Sequence, residues 1–345
     1  MAGFGWRDAE GRPRRAEPAE GPLTVTDDDR SIWRYRSAIP VDDASIVSRG
    51  EGDTPLIRGP EGFQLKCEYV SPSGSFKDRG ASALVSGLLE AGVEGFFLDS
   101  SGNAGAAMAM YGSAVGMACE VLVPAAAPAA KTRQAEAYGA KITRVDGNRE
   151  AVAEVARGRA DTEVYASHNW QPLFIHGTKT VAYELWEQTD GRAIDHLVLP
   201  VGYGSLLVGC HLGFTELTRA ASIDRLPRLH AVQAAASDPL VRALDAGLDE
   251  VPPIDPEPTL ATAIATSAPV RGTEMLAAVR ETGGSAVAVS EADIGAFQAM
   301  LASAGFFVEP SSAVAFAGAV ELRERGVIQP DELTVVVLTG TGLKT

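Results

Sequence analysis

Lys77 sits in Ser71-Pro72-Ser73-Gly74-Ser75-Phe76-Lys77-Asp78-Arg79-Gly80, a run of small residues leading into an alanine-rich stretch. The Ser-Gly-Ser backbone lets a planar group approach closely, and Phe76 can exclude water. Partial desolvation lowers a lysine's pKa, so the amine can be neutral and attack a carbonyl to form a Schiff base. The bland alternative is a solvated lysine at a helix start, paired with Asp78. Three other loops bear on the choice. Ser100-Ser101-Gly102-Asn103-Ala104-Gly105 follows the apolar Phe96-Phe97-Leu98 and opens another Ala-rich stretch, so its hydroxyls, amide and free backbone N–H groups suit a carboxylate. Gly202-Tyr203-Gly204-Ser205 follows Leu197-Val198-Leu199-Pro200-Val201 and suits a dianionic phosphate. Leu207 stands in the third glycine's place, so this is not the dinucleotide fingerprint. Thr339, after Thr334-Val335-Val336-Val337-Leu338, offers a neutral hydroxyl to one ring nitrogen. Taken singly, each loop also reads as an ordinary cap or turn.

Such loops need strands to end in them and helices to begin from them. Short apolar runs at 64–69, 95–98, 119–123, 141–145, 196–201, 228–233, 286–289 and 334–338 predict strands. Longer Ala/Leu/Glu-rich stretches at 81–91, 104–115, 129–138, 149–157, 177–188, 205–220, 293–304 and 312–324 predict helices between them. This alternation predicts an α/β protein with mainly parallel sheet. Residues 251–258, rich in proline, read as a surface loop.

With 345 residues, 46% of them hydrophobic, the chain can bury a large core. A net charge of −15 argues against nucleic-acid or anionic-membrane partners. Cys67, Cys119 and Cys210 are odd in number and far apart, suggesting neither a disulfide framework nor a zinc ribbon and fitting a reducing cytoplasm. No metal site is expected, because there is no His-Glu-x-x-His or Cys/His cluster. No Gly-x-Ser-x-Gly elbow or Ser-x-x-Lys pattern supports a hydrolase. Residues 1–20 are polar with no apolar core and read as a loose tail.

The four loops together fit one ligand: a lysine for an aldehyde, a glycine loop for a phosphate, a hydroxyl for a ring nitrogen, and a loop for a substrate carboxylate. That ligand is pyridoxal 5'-phosphate, seated where open α/β sheets bind ligands, outside the carboxyl ends of the strands. The chain also resembles the fold-type II pyridoxal-phosphate enzymes, specifically the threonine synthase family, from Trp33 to the C-terminus. The resemblance rests on Trp33-Arg34-Tyr35-Arg36, Gly50-Glu51-Gly52-Asp53-Thr54-Pro55-Leu56, the Lys77 motif and Ser100-Ser101-Gly102-Asn103. At the C-terminal end it rests on Glu309-Pro310-Ser311-Ser312-Ala313 and Leu338-Thr339-Gly340-Thr341-Gly342-Leu343-Lys344.

The resemblance implies two three-layer αβα lobes with the cofactor in the cleft between them. Their expected extents are a tail over 1–30, a large cofactor-binding domain over 31–78 and 188–345, and a small substrate-loop domain over 79–187. By the same resemblance Lys77 holds the cofactor and acts as catalytic base. Asn103 contacts the ring hydroxyl, Gly202 to Ser205 hold the phosphate, and Thr339 meets the pyridine nitrogen. Phe76 and Val201 complete the cofactor-binding set. Ser101 and Gly102 hold the substrate carboxylate, and Ser100, Ala104, Phe174 and His176 join them on the substrate side. A homodimer is implied. A neutral threonine at the ring nitrogen makes a weak electron sink, which favours elimination over transamination.

Two departures leave the substrate open. Where typical threonine synthases carry an arginine for the phosphate of O-phosphohomoserine, Pro172-Leu173-Phe174-Ile175-His176-Gly177-Thr178-Lys179-Thr180 has Phe174. A phenyl ring cannot bind a phosphate bidentately, so Lys131, Arg133, His176 or Lys179 must take its place or the substrate is not phosphorylated. The glycine loop is also closer to those of dehydratases and diaminopropionate ammonia-lyases. Three readings follow: a threonine synthase-like enzyme on an activated small amino acid, a serine/threonine-type ammonia-lyase or β-replacement synthase, or a pyridoxal-phosphate-binding protein without turnover. His168 and His176 could be catalytic, although two scattered histidines are more often structural.

Overall fold

The structure, a computed structural model, describes residues 5–100 and 102–344. In chain order it contains β1 (Leu56–Arg58), β2 (Gln64–Lys66), α1 (Lys77–Glu90), β3 (Gly95–Leu98), α2 (Asn103–Ala114) and β4 (Ala118–Pro124). Next come α3 (Arg133–Ala137), β5 (Lys141–Val145), α4 (Arg149–Arg159), α5 (Pro172–Thr178), α6 (Thr180–Gln188), β6 (His196–Pro200) and α7 (Ser205–Arg219). The chain continues with β7 (Arg228–Ala234), α8 (Pro239–Asp245), α9 (Gly272–Glu281), β8 (Ala286–Val289), α10 (Glu291–Ser303), α11 (Pro310–Glu324) and β9 (Thr334–Val337).

These strands form a six-stranded sheet in the order β1-β2-β9-β6-β7-β8 and a three-stranded sheet in the order β3-β4-β5. Among the described strands, only β1 against β2 is antiparallel. The other pairings are parallel. The central strands β6 and β9 are buried along their whole length, as expected of parallel strands covered on both faces. One apolar cluster packs α6, α7 and α9 against the larger sheet, and another packs α10 and α11 against it. A third joins α1 and α2 to β3 and β4.

All eight predicted strands are present, and the extra strand is the short edge β1. The predicted helix at 129–138 is a 3-10 turn over Ala129–Lys131 followed by α3, and the one at 177–188 is the pair α5 and α6. Helices α8 and α9 were not predicted. Residues 251–258 have no regular structure, in keeping with a loop. The reading of 1–20 as a loose tail needs correction over 5–20, the part within the described residues. Trp6 is buried edge-on to Tyr165 and Trp170, with ring centroids 5.3 and 4.8 Å away. The Arg14 carbonyl accepts from Arg271 at 3.1 Å, and Ala19 N–H donates to Glu216 at 2.7 Å. One large aromatic in a polar stretch was enough to dock it. Among the described residues no helix is long and apolar enough to cross a membrane.

Candidate active site

The lysine loop is held against the carboxyl end of β9. Ser75 bridges Gly340, Phe76 N–H donates to the Thr339 carbonyl at 3.0 Å, and Thr341 N–H donates to that of Gly74 at 3.0 Å. Asp78 turns back to the loop, where its carboxylate accepts from the Ser73 N–H at 2.6 Å and from the Ser73 hydroxyl. The pairing of Lys77 with Asp78 is therefore not formed. Burial pushes Asp78 up to about 7 despite these donors. Lys77 begins α1, which packs on α5 at Gly80. A Cβ there would lie 2.4 Å from the Phe174 ring, so only glycine lets the two helices approach this closely.

Lys77 Nζ lies 4.4 Å from the centroid of the Phe76 ring and 5.9 Å from that of Phe174. Among the described residues its one hydrogen bond, 3.5 Å long, runs to Ser205 Oγ at the start of α7. Burial pulls the amine down to about 8, and the carboxylate of Glu309 offsets this only in part. A lysine in this state can act as a nucleophile or base near neutral pH.

Lys77 opens onto a cavity of about 1170 Å³. Of the residues named from sequence, Phe76, Ser100, Gly102, Asn103, Ala104 and Thr339 line it. So do Gly202, Tyr203, Gly204 and Ser205. Gly204 has φ +88°, and a Cβ on it would meet Met275 Sδ at 2.2 Å, so the turn into α7 depends on glycine. That turn leaves the first backbone N–H groups of α7 free for an anion. The Thr339 hydroxyl is 3.0 Å from that of Ser312, and either can donate.

Val201, Phe174 and His176 are not among the residues lining the cavity. Val201 lies in the core, with its N–H on the Val232 carbonyl at 2.8 Å. Phe174 is fully buried behind Lys77. His176, two residues further round α5, turns away from that face and toward Lys179, and burial holds it down to about 3. Lys179 is committed to Glu216 at 2.8 Å, so of the four alternatives to the missing arginine, Lys131 and Arg133 remain on the wall. Ser101 lies outside the described residues.

Four wall residues were missed or discounted in the sequence. Glu309 accepts from the Asn103 amide at 3.2 and 3.0 Å. Lys344 donates to the other end of that amide at 3.1 Å. Arg149 and His168 complete the set. Glu309 and Lys344 did stand within quoted motifs. Arg149 opens α4, where it read as a solvated helix-start charge, and His168 lies in the segment between α4 and α5, which carried no signal.

These features fit pyridoxal phosphate: an amine in reach of an aldehyde, a glycine turn at a helix start for the phosphate, and a neutral hydroxyl pair. Comparison with known proteins agrees. The family profile described as pyridoxal-phosphate dependent enzyme matches residues 47–340. Threonine synthases of Methanosarcina acetivorans and Methanocaldococcus jannaschii are each 36% identical over 325 residues, covering 91% of this chain and 80% of theirs. Among solved structures, maize serine racemase superposes with TM-score 0.71 at 25% identity, covering 84% of this chain and 88% of its own. A threonine deaminase isoform from Solanum lycopersicum superposes with TM-score 0.74 at 20% identity, covering 96% and 92%, and shares the fold. The chain is a threonine synthase-like member of the pyridoxal-phosphate dependent enzyme family.

Proposed function

We propose that this enzyme eliminates or replaces a substituent at the β or γ carbon of a small L-amino acid, as in converting O-phosphohomoserine and water to threonine and phosphate. The observation that carries this reading is the desolvated Lys77 amine, held by a single long hydrogen bond to Ser205 among the described residues, on a cavity lined by Gly202 to Ser205 and by Ser100, Gly102, Asn103 and Ala104. When bound, pyridoxal phosphate supplies an aldehyde that captures amines and a conjugated ring that acidifies the neighbouring C–H.

The chain's own residues do the rest. Lys77 Nζ would hold the cofactor and, when free, would take the α-proton. Gly202 to Ser205 seat the phosphate, and Phe76 keeps water from the amine. Thr339, with Ser312 behind it, meets the ring nitrogen without a full charge, which favours early departure of the leaving group. Ser100, Ser101, Gly102 and Ala104 receive the substrate carboxylate. Asn103, anchored by Glu309 and Lys344, faces the ring hydroxyl. In this reading residues 79–187 form the smaller domain, which closes on substrate, and the enzyme works as a cytoplasmic homodimer.

The second reading, a serine- or threonine-type ammonia-lyase, is favoured by Phe174, which puts an apolar ring where a phosphate-binding arginine was expected. Assays of the holoenzyme separate the two. Threonine and phosphate from O-phosphohomoserine support the first. Ammonia and an oxo acid from serine or threonine, with no turnover of O-phosphohomoserine, replace it with the second. No turnover of any of these, and no change in the cofactor's absorption, means a binding protein.

A further inference from the structure

The cavity wall carries more positive charge than the cofactor and a substrate carboxylate need. Lys77, Lys131, Arg133, Arg149 and Lys344 line it, and Glu309 is the one carboxylate among its described residues. Arg149 is the best organised of these cations. It starts α4, behind Asn148, whose side chain caps that helix by accepting from Ala151 N–H at 3.1 Å. Its Nη1 donates to Asp99 at 2.7 Å. The Tyr165 hydroxyl, also 2.7 Å from Asp99, fixes that carboxylate from the other side. The guanidinium lies 5.7 Å from the centre of the Tyr203 ring, within cation–π range. Its remaining N–H groups have no acceptor among the described residues, and about a third of the side chain stays accessible, 31%. One edge is therefore anchored and the other is left for a ligand.

An independent observation marks the same region. His168 lines the cavity and is only 6% exposed, yet its Nδ1 has no hydrogen-bond partner. A buried ring nitrogen without a partner costs free energy unless a ligand or water meets it. His168 lies close enough to both Lys77 and Arg149 that the charge of each opposes its protonation, in addition to burial. The neutral imidazole, Lys77 and Arg149 thus line one cavity, each within electrostatic reach of the ring.

The geometry points to Arg149, with Tyr203 and His168, as the receptor for an anionic group, phosphate or carboxylate, at the end of the substrate's side chain. It takes over the duty that Phe174 cannot perform, and it rests on the elimination or replacement chemistry proposed above. Asp99 is a positioning residue: it acts by fixing the guanidinium, not by touching substrate.

The test uses holoenzyme, wild type against Arg149→Gln and Arg149→Lys, with three substrates: O-phosphohomoserine, O-succinylhomoserine and serine. Glutamine can still donate to Asp99, so the fold is retained, and lysine restores the charge. The expected result is that Arg149→Gln lowers the ratio of kcat/KM for the anionic substrate to that for serine by about 10- to 100-fold, the scale of a lost charged hydrogen bond. Arg149→Lys should recover part of it. Selectivity for the phosphate ester or for the succinyl ester identifies which anion the receptor takes. A ratio that Arg149→Gln does not move overturns the receptor and leaves the proposed function standing. Binding of L-2-amino-5-phosphonopentanoate, followed by calorimetry, provides a readout that needs no turnover. Affinity that depends on Arg149 supports the receptor even if no substrate reacts, in which case it is the proposed function that falls.

Discussion

Lys77 and Lys66 are eleven positions apart in sequence, and burial pushes both amines below the ordinary lysine range, yet their surroundings are opposite. Lys66 donates to the Thr54 carbonyl and Gln188 Oε1, each at 2.7 Å, and to the Glu184 carboxylate. Beside it Arg79 binds Glu68 at 2.7 Å and Glu184 at 2.9 Å, so two cations and two carboxylates balance with their donors satisfied. Lys77 has one long bond to a serine and two aromatic rings. A depressed pKa alone therefore does not distinguish Lys77. What does is burial with no anionic partner among the described residues, at the wall of a cavity.

Exchanging the two losses should break the comparison if it is wrong. If Lys77 acts as proposed, both holding the cofactor and moving a proton, Lys77→Ala should lower turnover by about 10⁴-fold or more. Its stability should stay near that of wild type, since no ion pair is lost. Lys66→Met should do the reverse in kind, destabilising the protein by about 3–5 kcal/mol by leaving buried carboxylates undercompensated. Chemical denaturation alongside steady-state assay measures both. A large stability loss in Lys77→Ala, or an unaffected Lys66→Met, would remove the distinction.

The same contrast explains what could be read from the sequence. Strands β6 and β9 were legible because a fully buried parallel strand needs an unbroken apolar run. Strand β1 was not, because its three edge residues include exposed Ile57 and Arg58 and so show no pattern. Helix α9 follows a proline-rich loop and lacks a side-chain cap, so nothing announced its start. Lys77, the glycine turn and Thr339 were legible because close backbone approach and strand ends leave marks in small residues. Arg149 and His168 were not, since an arginine opening a helix reads as a solvated charge until β5 and α4 set it against the cavity. Thr54, quoted within a motif, belongs to the ion-pair network: its hydroxyl donates to Glu68 at 2.7 Å. A motif can thus mark support for a site as readily as the site itself.

Gly80→Ala sharpens the comparison at the junction of the two regions, since Arg79 faces the network and Gly80 meets Phe174. The added methyl must displace the Phe174 ring, which also flanks Lys77, or part α1 from α5. Destabilisation by about 1–3 kcal/mol is expected, the cost of overpacking a filled core. Turnover measured well below the melting temperature should fall as well, because the start of α1 carries Lys77. Stability loss with unchanged turnover would show that this packing does not position the amine.

The smallest effect is in pH dependence, and it tests the burial of Lys77 directly. Folding lowers Lys77 from 10.5 to about 8, so the native protein releases that proton first. Between those values the unfolded chain binds more protons, and stability rises with pH. Below about 8 both states are protonated, and the full cost of the buried charge is present. One proton limits the slope to about 1.4 kcal/mol per pH unit. Lys66, Lys179 and Lys344 are also lowered by burial, so the raw profile mixes several groups. The difference between cofactor-free wild type and Lys77→Met isolates the one of interest. The variant should gain most relative to wild type below about pH 8, and the gap should close on approach to 10.5. A gap independent of pH would mean that Lys77 is paired in solution, and the contrast with Lys66 would lose its physical basis.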